Sequence, residues 1–381
     1  MLAAKTKEGK LIVLTKTYRK EQLKKWRQSQ SFYCPQCEKP VHLKIGEIVA
    51  PHFAHKKNEA CPSFFSEGES KDHLQGKQQL YLFFQQHADH VELEPYFKML
   101  AQRPDLLVIN RNKRIPIEFQ CSTIPVADME ARSSGYRSIG MDPVWILRTP
   151  EKFVGIPQGI GIFHLSHFDE HFLTRHSPEG RVLLTYNPQT ERFHYYSSLF
   201  HVVGNRHIGI HRTLSSSMQI FPFARPKTPT AEDLQKYTTI YLSLRNQFLQ
   251  SRILLNRKGI RNSFLRICYE LRLLPTELPL WIGVPVRGSD AFREHDCEWQ
   301  LALLYYMRRQ GISLNNLSQA HVRKYLARIG QLSERKEHAC LAYRDFLLTA
   351  GIVPFHNPNS IDEQSIYAFI AARFLAKGSE N

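Results

Sequence analysis

Arg103-Pro104-Asp105-Leu106-Leu107-Val108-Ile109-Asn110-Arg111-Asn112-Lys113-Arg114-Ile115-Pro116-Ile117-Glu118-Phe119-Gln120 is the stretch whose reading decides the fold. It reads as two strands, 105–109 and 115–120, around the polar turn 110–113. Residues two apart on a strand share a face, so Glu118 and Gln120 point the same way. If the strands pair across the turn, Asp105 and Glu118 converge at one edge. Pro116 limits pairing at its own position, because it has no N–H to donate.

Working outward, a helix is expected to start between residues 66 and 70 and to run through Leu74, Leu80, Phe83 and Phe84, whose spacing makes one apolar face. Val91-Glu92-Leu93-Glu94 is a strand, 127–138 a helix, and Val144-Trp145-Ile146-Leu147 a buried strand. The order helix, three strands, helix, strand is that of a mixed α/β core. The chain has 381 residues, too many for one hydrophobic core, so several domains are expected. We divide it into a zinc-knuckle-like region at 1–65, the α/β core at 66–155, an irregular or β linker region at 156–230 and a helical region at 231–381. Within the first, a hairpin turns at Lys7-Glu8-Gly9-Lys10 and a short basic helix spans 20–28. Within the third, 182–186 and 192–196 flank Asn187-Pro188 as a hairpin. Tyr195 and Tyr196 could stack on bases, but beside strands they fit a core better.

The candidate chemistry lies in four positions: Glu69 near the start of the core helix, Asp105, Glu118 and Gln120. Convergent carboxylates are costly to ionise together unless a cation joins them. Oxygen ligands of this kind suit magnesium or manganese, with Asp105 and Glu118 as the ligands. At a phosphodiester such an ion polarises the phosphate and activates water. His73 and Lys77 follow Glu69 at four-residue steps along one helix stripe. A cation there could hold the attacking water or stabilise phosphate charge; the alternative is a solvated polar face.

Cys34-Pro35-Gln36-Cys37 is a cysteine pair on a turn that can hold zinc through two thiolates. His52, His55 and Cys61 follow. The expected set is Cys34, Cys37, Cys61 and one histidine, with His55 preferred for its nearness to Cys61. Four ligands would close the site and make it structural. The alternatives are a redox pair or plain buried thiols, and the thioredoxin-like context of a redox pair is missing.

The formal net charge is +16. Residues 1–65 hold 13 Lys or Arg against 5 Asp or Glu, residues 66–160 hold 11 against 12, and residues 161–381 hold 27 against 18. A nearly neutral middle between two basic flanks suits carboxylates that hold a cation while their neighbours grip phosphate. The same surplus would also suit a solvated basic face or an anionic lipid surface. No run of 18 apolar residues occurs and the start lacks a signal-like apolar segment, so a cytoplasmic protein without a membrane span is expected.

The run Glu69-Ser70, His73, Gly76-Lys77, then Arg103-Pro104-Asp105, then Ile117-Glu118-Phe119-Gln120-Cys121-Ser122, then Arg132, Tyr136 and Val144-Trp145-Ile146-Leu147 resembles the competence protein CoiA family. The stretch from Cys34 to Cys61 resembles that family's N-terminal part. The resemblance implies a restriction-endonuclease-like PD-(D/E)xK nuclease core, with Glu69, Asp105 and Glu118 as its acidic residues. Gln120 stands where that superfamily usually has Lys; an amide carries no charge, and Lys77 could supply the cation instead. Arg132 and Tyr136, four apart on the second helix, would face the site or the phosphate backbone, or else serve helix packing. The resemblance also implies action on incoming single-stranded DNA during transformation, alongside recombination proteins. The function expected is therefore a metal-dependent DNA nuclease. The alternative is a DNA-binding recombination factor that keeps the fold without the activity, and charge alone leaves RNA open as well.

Overall fold

The computed structural model of the chain describes residues 1–15, 18–47, 49–56, 70–176, 180–223, 228–255, 261–355 and 361–375. Among these, a five-stranded sheet, a nine-stranded sheet and a C-terminal set of helices make up a mixed α/β architecture with a helical C-terminal region.

The N-terminal sheet begins with the expected hairpin, β1 (Ala3–Thr6) and β2 (Leu11–Val13), turned at Gly9 with φ +81°. Helix α1 (Lys20–Ser29) follows, burying Leu23. Then come β3 (Phe32–Tyr33), β4 (Pro40–Lys44) and β5 (His52–Ala54), giving the order β2-β1-β3-β4-β5. On β4 the alternation is plain: Val41 and Leu43 are buried while Pro40, His42 and Lys44 are exposed. This sheet does not stand apart. Phe32, Val41, Leu43 and Phe53 pack into one core with Leu74, Leu80 and Phe84 of the next helix.

That helix, α2 (Lys71–His87), is capped by Ser70, whose side chain accepts from the His73 N–H; such a cap contributes about 1 kcal/mol. It leads into β6 (His90–Leu93), β7 (Leu106–Asn110) and β8 (Lys113–Gln120), which pair antiparallel. The turn joining β7 to β8 has two residues, Arg111 and Asn112, both with positive φ (48° and 64°), the hairpin geometry that matches strand twist. Helix α3 (Val126–Ser138) then carries the chain to β9 (Val144–Arg148), which lies parallel to β8. Pairing with β9 begins at Ile117, just past Pro116, as its missing N–H requires.

The expected linker at 156–230 is corrected by the topology. Strands β10 (Gly159–His164), β11 (Leu173–His176), β12 (Gly180–Asn187), β13 (Arg192–Val203) and β14 (Arg206–Ser215), with the short helix α4 (His167–His171) between β10 and β11, extend the same sheet. Its order is β10-β14-β13-β12-β9-β8-β7-β6, with β11 on β12. The hairpin β12–β13 forms as expected, but β12 also pairs parallel to β9. The physical reason is burial: Val182, Tyr186, Phe193 and Tyr195 join the core of α2 and β6–β8, while Leu183 and Tyr196 join a second cluster with Leu147. Tyr195 and Tyr196 are thus core residues.

The C-terminal helices are α5 (Ala231–Leu254), α6 (Ser263–Leu271), α7 (Asp296–Gln310), α8 (Gln319–Arg328), α9 (Glu334–Thr349) and α10 (Glu363–Leu375). A reciprocal cap of Thr230 and Asp233 opens α5. The buried Arg245 donates to the carbonyls of Leu278, Pro279 and Ile282, fixing the connection that follows α6. The helices share their core with Phe200, Val202, Ile208 and Ile210, so they dock on β13 and β14. No helix among the described residues is long and apolar enough to cross a membrane.

Candidate active site

The β7–β8 pairing sets the site. Leu106 lies opposite Ile117, so the next pair toward the strand end is Asp105 with Glu118. Each carboxylate is gripped from one side. Asp105 Oδ2 accepts from His73 Nε2 at 3.0 Å and from the Phe119 N–H at 2.9 Å. Lys77 Nζ lies 3.5 Å from Asp105 Oδ1. Glu118 Oε1 accepts from Arg132 and from the Tyr136 hydroxyl, both at 2.6 Å. Glu118 Oε2 accepts no hydrogen bond among the described residues, and Asp105 Oδ1 has only the more distant Lys77. Both carboxylates thus keep one oxygen largely uncommitted.

The electrostatics separate the two acids. Burial opposes ionisation of Asp105, but His73, Lys77 and the Phe119 N–H outweigh it and hold that carboxyl below its ordinary range. Burial pushes Glu118 up. Arg132 opposes the rise and the Asp105 charge adds to it. Two carboxyls that repel each other this closely are what a shared cation relieves. The neighbouring Cys121 thiol is raised by burial and by the Asp105 charge, so it is held as a thiol.

Helix α2 delivers His73 and Lys77 because four-residue steps keep them on one stripe, and that stripe faces β8. The approach is close at Gly76, where a Cβ would lie 2.1 Å from Phe119 Cε1. His73 keeps partial exposure, whereas the Lys77 side chain is 1% exposed. Lys77 is therefore fixed inside the protein against Glu94 and Asp105, so the alternative of a solvated polar face is not what forms there.

Sequence reasoning missed Glu94. Its carboxylate, 1% exposed, takes Lys77 Nζ at 2.5 Å and the backbone N–H groups of Leu2 and Ala3 at 2.9 to 3.1 Å. It thereby bolts β1 of the first sheet to the site. Alternation along β6 assigns Glu92 and Glu94 to the outer face. The chain breaks that period at Glu94, where φ is +53°, and turns the side chain inward.

Arg132 and Tyr136 lie where α3 passes over β8, and both turn inward onto Glu118. Tyr136 is fully buried, and Arg132 also reaches the Arg103 carbonyl at 3.3 Å. Of the alternatives the sequence leaves open, the structure has these two facing the site, where they hold a carboxylate. Gln120 is buried and donates to the Ser122 carbonyl at 2.8 Å. Glu69 lies outside the described residues, as does Cys61.

A second constellation sits in the first sheet. Cys34, Cys37 and His55 bring their ligand atoms within 4.8 Å of one another, with Cys37 Sγ 3.2 Å from His55 Nε2. The turn after β3 closes through Cys34 N–H to the Lys39 carbonyl and Glu38 N–H to the Cys34 carbonyl, aiming both thiols at the residue that follows β5. Two sulfurs and an imidazole so spaced fit zinc, whose bonds run about 2.0 to 2.3 Å. His52 lies outside this group and directs Nδ1 to the Ala50 carbonyl at 2.9 Å.

Comparison with known proteins agrees with this layout. Residues 69–227 match the family described as competence protein CoiA, nuclease-like domain, and residues 15–64 match competence protein CoiA, N-terminal domain. The first match takes in β10 to β14, in keeping with the single large sheet. Competence protein CoiA of Bacillus subtilis (strain 168) is 31% identical over 299 residues, covering 74% of this chain and 73% of that protein. No solved structure matches the chain. With both sequence domains matched and that relative aligned across most of the chain, the protein belongs to the competence protein CoiA family.

Proposed function

We propose that this protein is a divalent-metal-dependent deoxyribonuclease of the PD-(D/E)xK type, acting on incoming DNA during transformation and recombination. The observation that carries it is the pair Asp105 and Glu118. Asp105 just before β7 and Glu118 on β8 lie next to each other and repel each other; Glu118 keeps Oε2 without a hydrogen bond among the described residues, and Asp105 Oδ1 has only Lys77 at 3.5 Å. Magnesium or manganese would be held by these two, and when bound would polarise the scissile phosphate and activate water. Single-stranded DNA is the substrate the family's role favours, with recombination proteins as partners and the cytoplasm as the setting.

The chain's own residues divide the remaining work. Lys77 keeps Asp105 ionised from inside the fold, taking the electrostatic part of the lysine that Gln120 replaces. Arg132 and Tyr136 fix the rotamer of Glu118 through one oxygen and leave the other directed away from them. His73, the most exposed of the donors, is placed to orient water beside Asp105. Cys34, Cys37 and His55 would hold a structural zinc that ties the turn after β3 to the end of β5, with Cys61, outside the described residues, as the fourth ligand expected from the sequence.

A non-catalytic DNA-binding role has two observations in its favour: Gln120 brings no charge, and Glu118 is already neutralised by Arg132. Incubating labelled single- and double-stranded DNA with the protein, with magnesium, manganese or chelator, separates the two. Cutting that needs the metal supports the nuclease. Binding without cutting across all metals and substrates supports the binding factor.

A further inference from the structure

We infer that the cleft bounded by α6, α7 and α8 is a binding site for single-stranded nucleic acid, separate from the carboxylate site. The cleft encloses about 560 Å³. Three arginines line it, one from each helix: Arg266, Arg309 and Arg328. All three are exposed, and none of their guanidinium groups makes an ion pair or hydrogen bond among the described residues. Guanidinium groups kept out of salt bridges on a cleft wall are available to phosphate, which they bind in a planar, two-pronged way.

The cleft also contains carboxylates. Glu298 is neutralised by Arg252 at 2.6 Å, and Glu294 accepts from the Gln331 amide at 2.7 Å. The balance of the lining still favours an anion. Its aromatic part is equally specific. Tyr305 is half-buried on the wall, and its ring is held by a hydrogen bond from its hydroxyl to Glu270. Behind it, Phe292 stacks on Trp299 with centroids 4.5 Å apart, so the floor is rigid. A fixed ring face between arginines is the arrangement on which a base stacks while its phosphates are gripped. A duplex keeps its bases stacked inside and cannot offer a ring to a cleft of this size; a single strand can.

The test is fluorescence anisotropy with labelled oligothymidylate on the full chain, without added divalent ion and over a range of salt. Each phosphate contact on a single strand contributes about 0.7 to the log–log salt slope. Replacing all three, as R266A/R309A/R328A, should weaken binding about tenfold and flatten that slope by about 2. Y305L should weaken binding about fivefold or more while leaving the slope unchanged, and Y305F, which keeps the ring but loses its tether to Glu270, should bind more tightly than Y305L. A control that removes equal charge from outside the cleft, K7A/K10A/K113A, should have a smaller effect. Equal losses from the control and the cleft triple would overturn the inference, as would wild-type affinity and slope in the cleft triple. Because binding is read without metal, failure of the nuclease proposal leaves this result interpretable.

Discussion

Replacing Lys77 with Met tests whether the site is held by a buried ion pair. Lys77 and Glu94 are each 1% exposed and 2.5 Å apart. An exposed pair would contribute about 0.2–1 kcal/mol, because water screens it. Here the loss of one partner strands a carboxylate inside the protein, which costs about 3–5 kcal/mol. Glu94 would keep the Leu2 and Ala3 N–H groups but lose its cation, and Asp105 would lose one of the two charges that keep it ionised. Glu94→Gln relieves the stranded charge, so Lys77→Met/Glu94→Gln should be less destabilised than the sum of the singles by about 1–3 kcal/mol. Urea unfolding of the four proteins, followed by tryptophan fluorescence, gives the cycle directly. A Lys77→Met variant within about 1 kcal/mol of wild type, with no coupling to Glu94, would refute the reasoning.

Three further outcomes are expected from other parts of the fold. His55→Ala should lose bound zinc and His52→Ala should keep it, as read by metal analysis of the purified proteins, because only His55 joins the two thiols. Gly76→Ala should cost about 1–3 kcal/mol in thermal stability, since its methyl would enter the Phe119 ring. It should also slow DNA cleavage, because Phe119 supplies an N–H to Asp105. His295 is fully buried and pushed down to about 3 by burial and by Arg245 and its cationic neighbours. Its folded form therefore stays neutral while the unfolded chain takes up a proton below about pH 6.5, so stability falls as pH falls through that window, by about 2 kcal/mol at pH 5. Asn keeps the capping role that His295 fills at Cys297, so His295→Asn should remove that share of the pH dependence in melts at pH 7 and pH 5.

The parts of this molecule legible in its sequence are those governed by local period. The alternation of β7 and β8 and the polar turn between them are enough to place Asp105 beside Glu118. The four-residue step puts His73 and Lys77 on one face, and that face does meet Asp105. What stays hidden depends on long-range packing. Glu94 sits on the outward register of its strand and turns in only because one residue takes a left-handed conformation. The stretch after β9 is legible only at its local β12–β13 hairpin, because the pairings that join it to the large sheet, Thr185 with Leu147 and Ile160 with Ile210, link residues far apart in the chain. Arg132 and Tyr136 are recognisable as a pair, but their direction depends on how α3 crosses β8, which no local spacing encodes.

Single-turnover cleavage of labelled DNA in magnesium or manganese, by wild type, Asp105→Ala and Glu118→Ala with DNA binding measured alongside, tests the central claim most directly. Metal-dependent cutting that falls about a hundredfold or more in both variants while binding is retained is the predicted result. Cutting at the wild-type rate in either variant, or a wild type that binds DNA and leaves it intact with every metal, would contradict it.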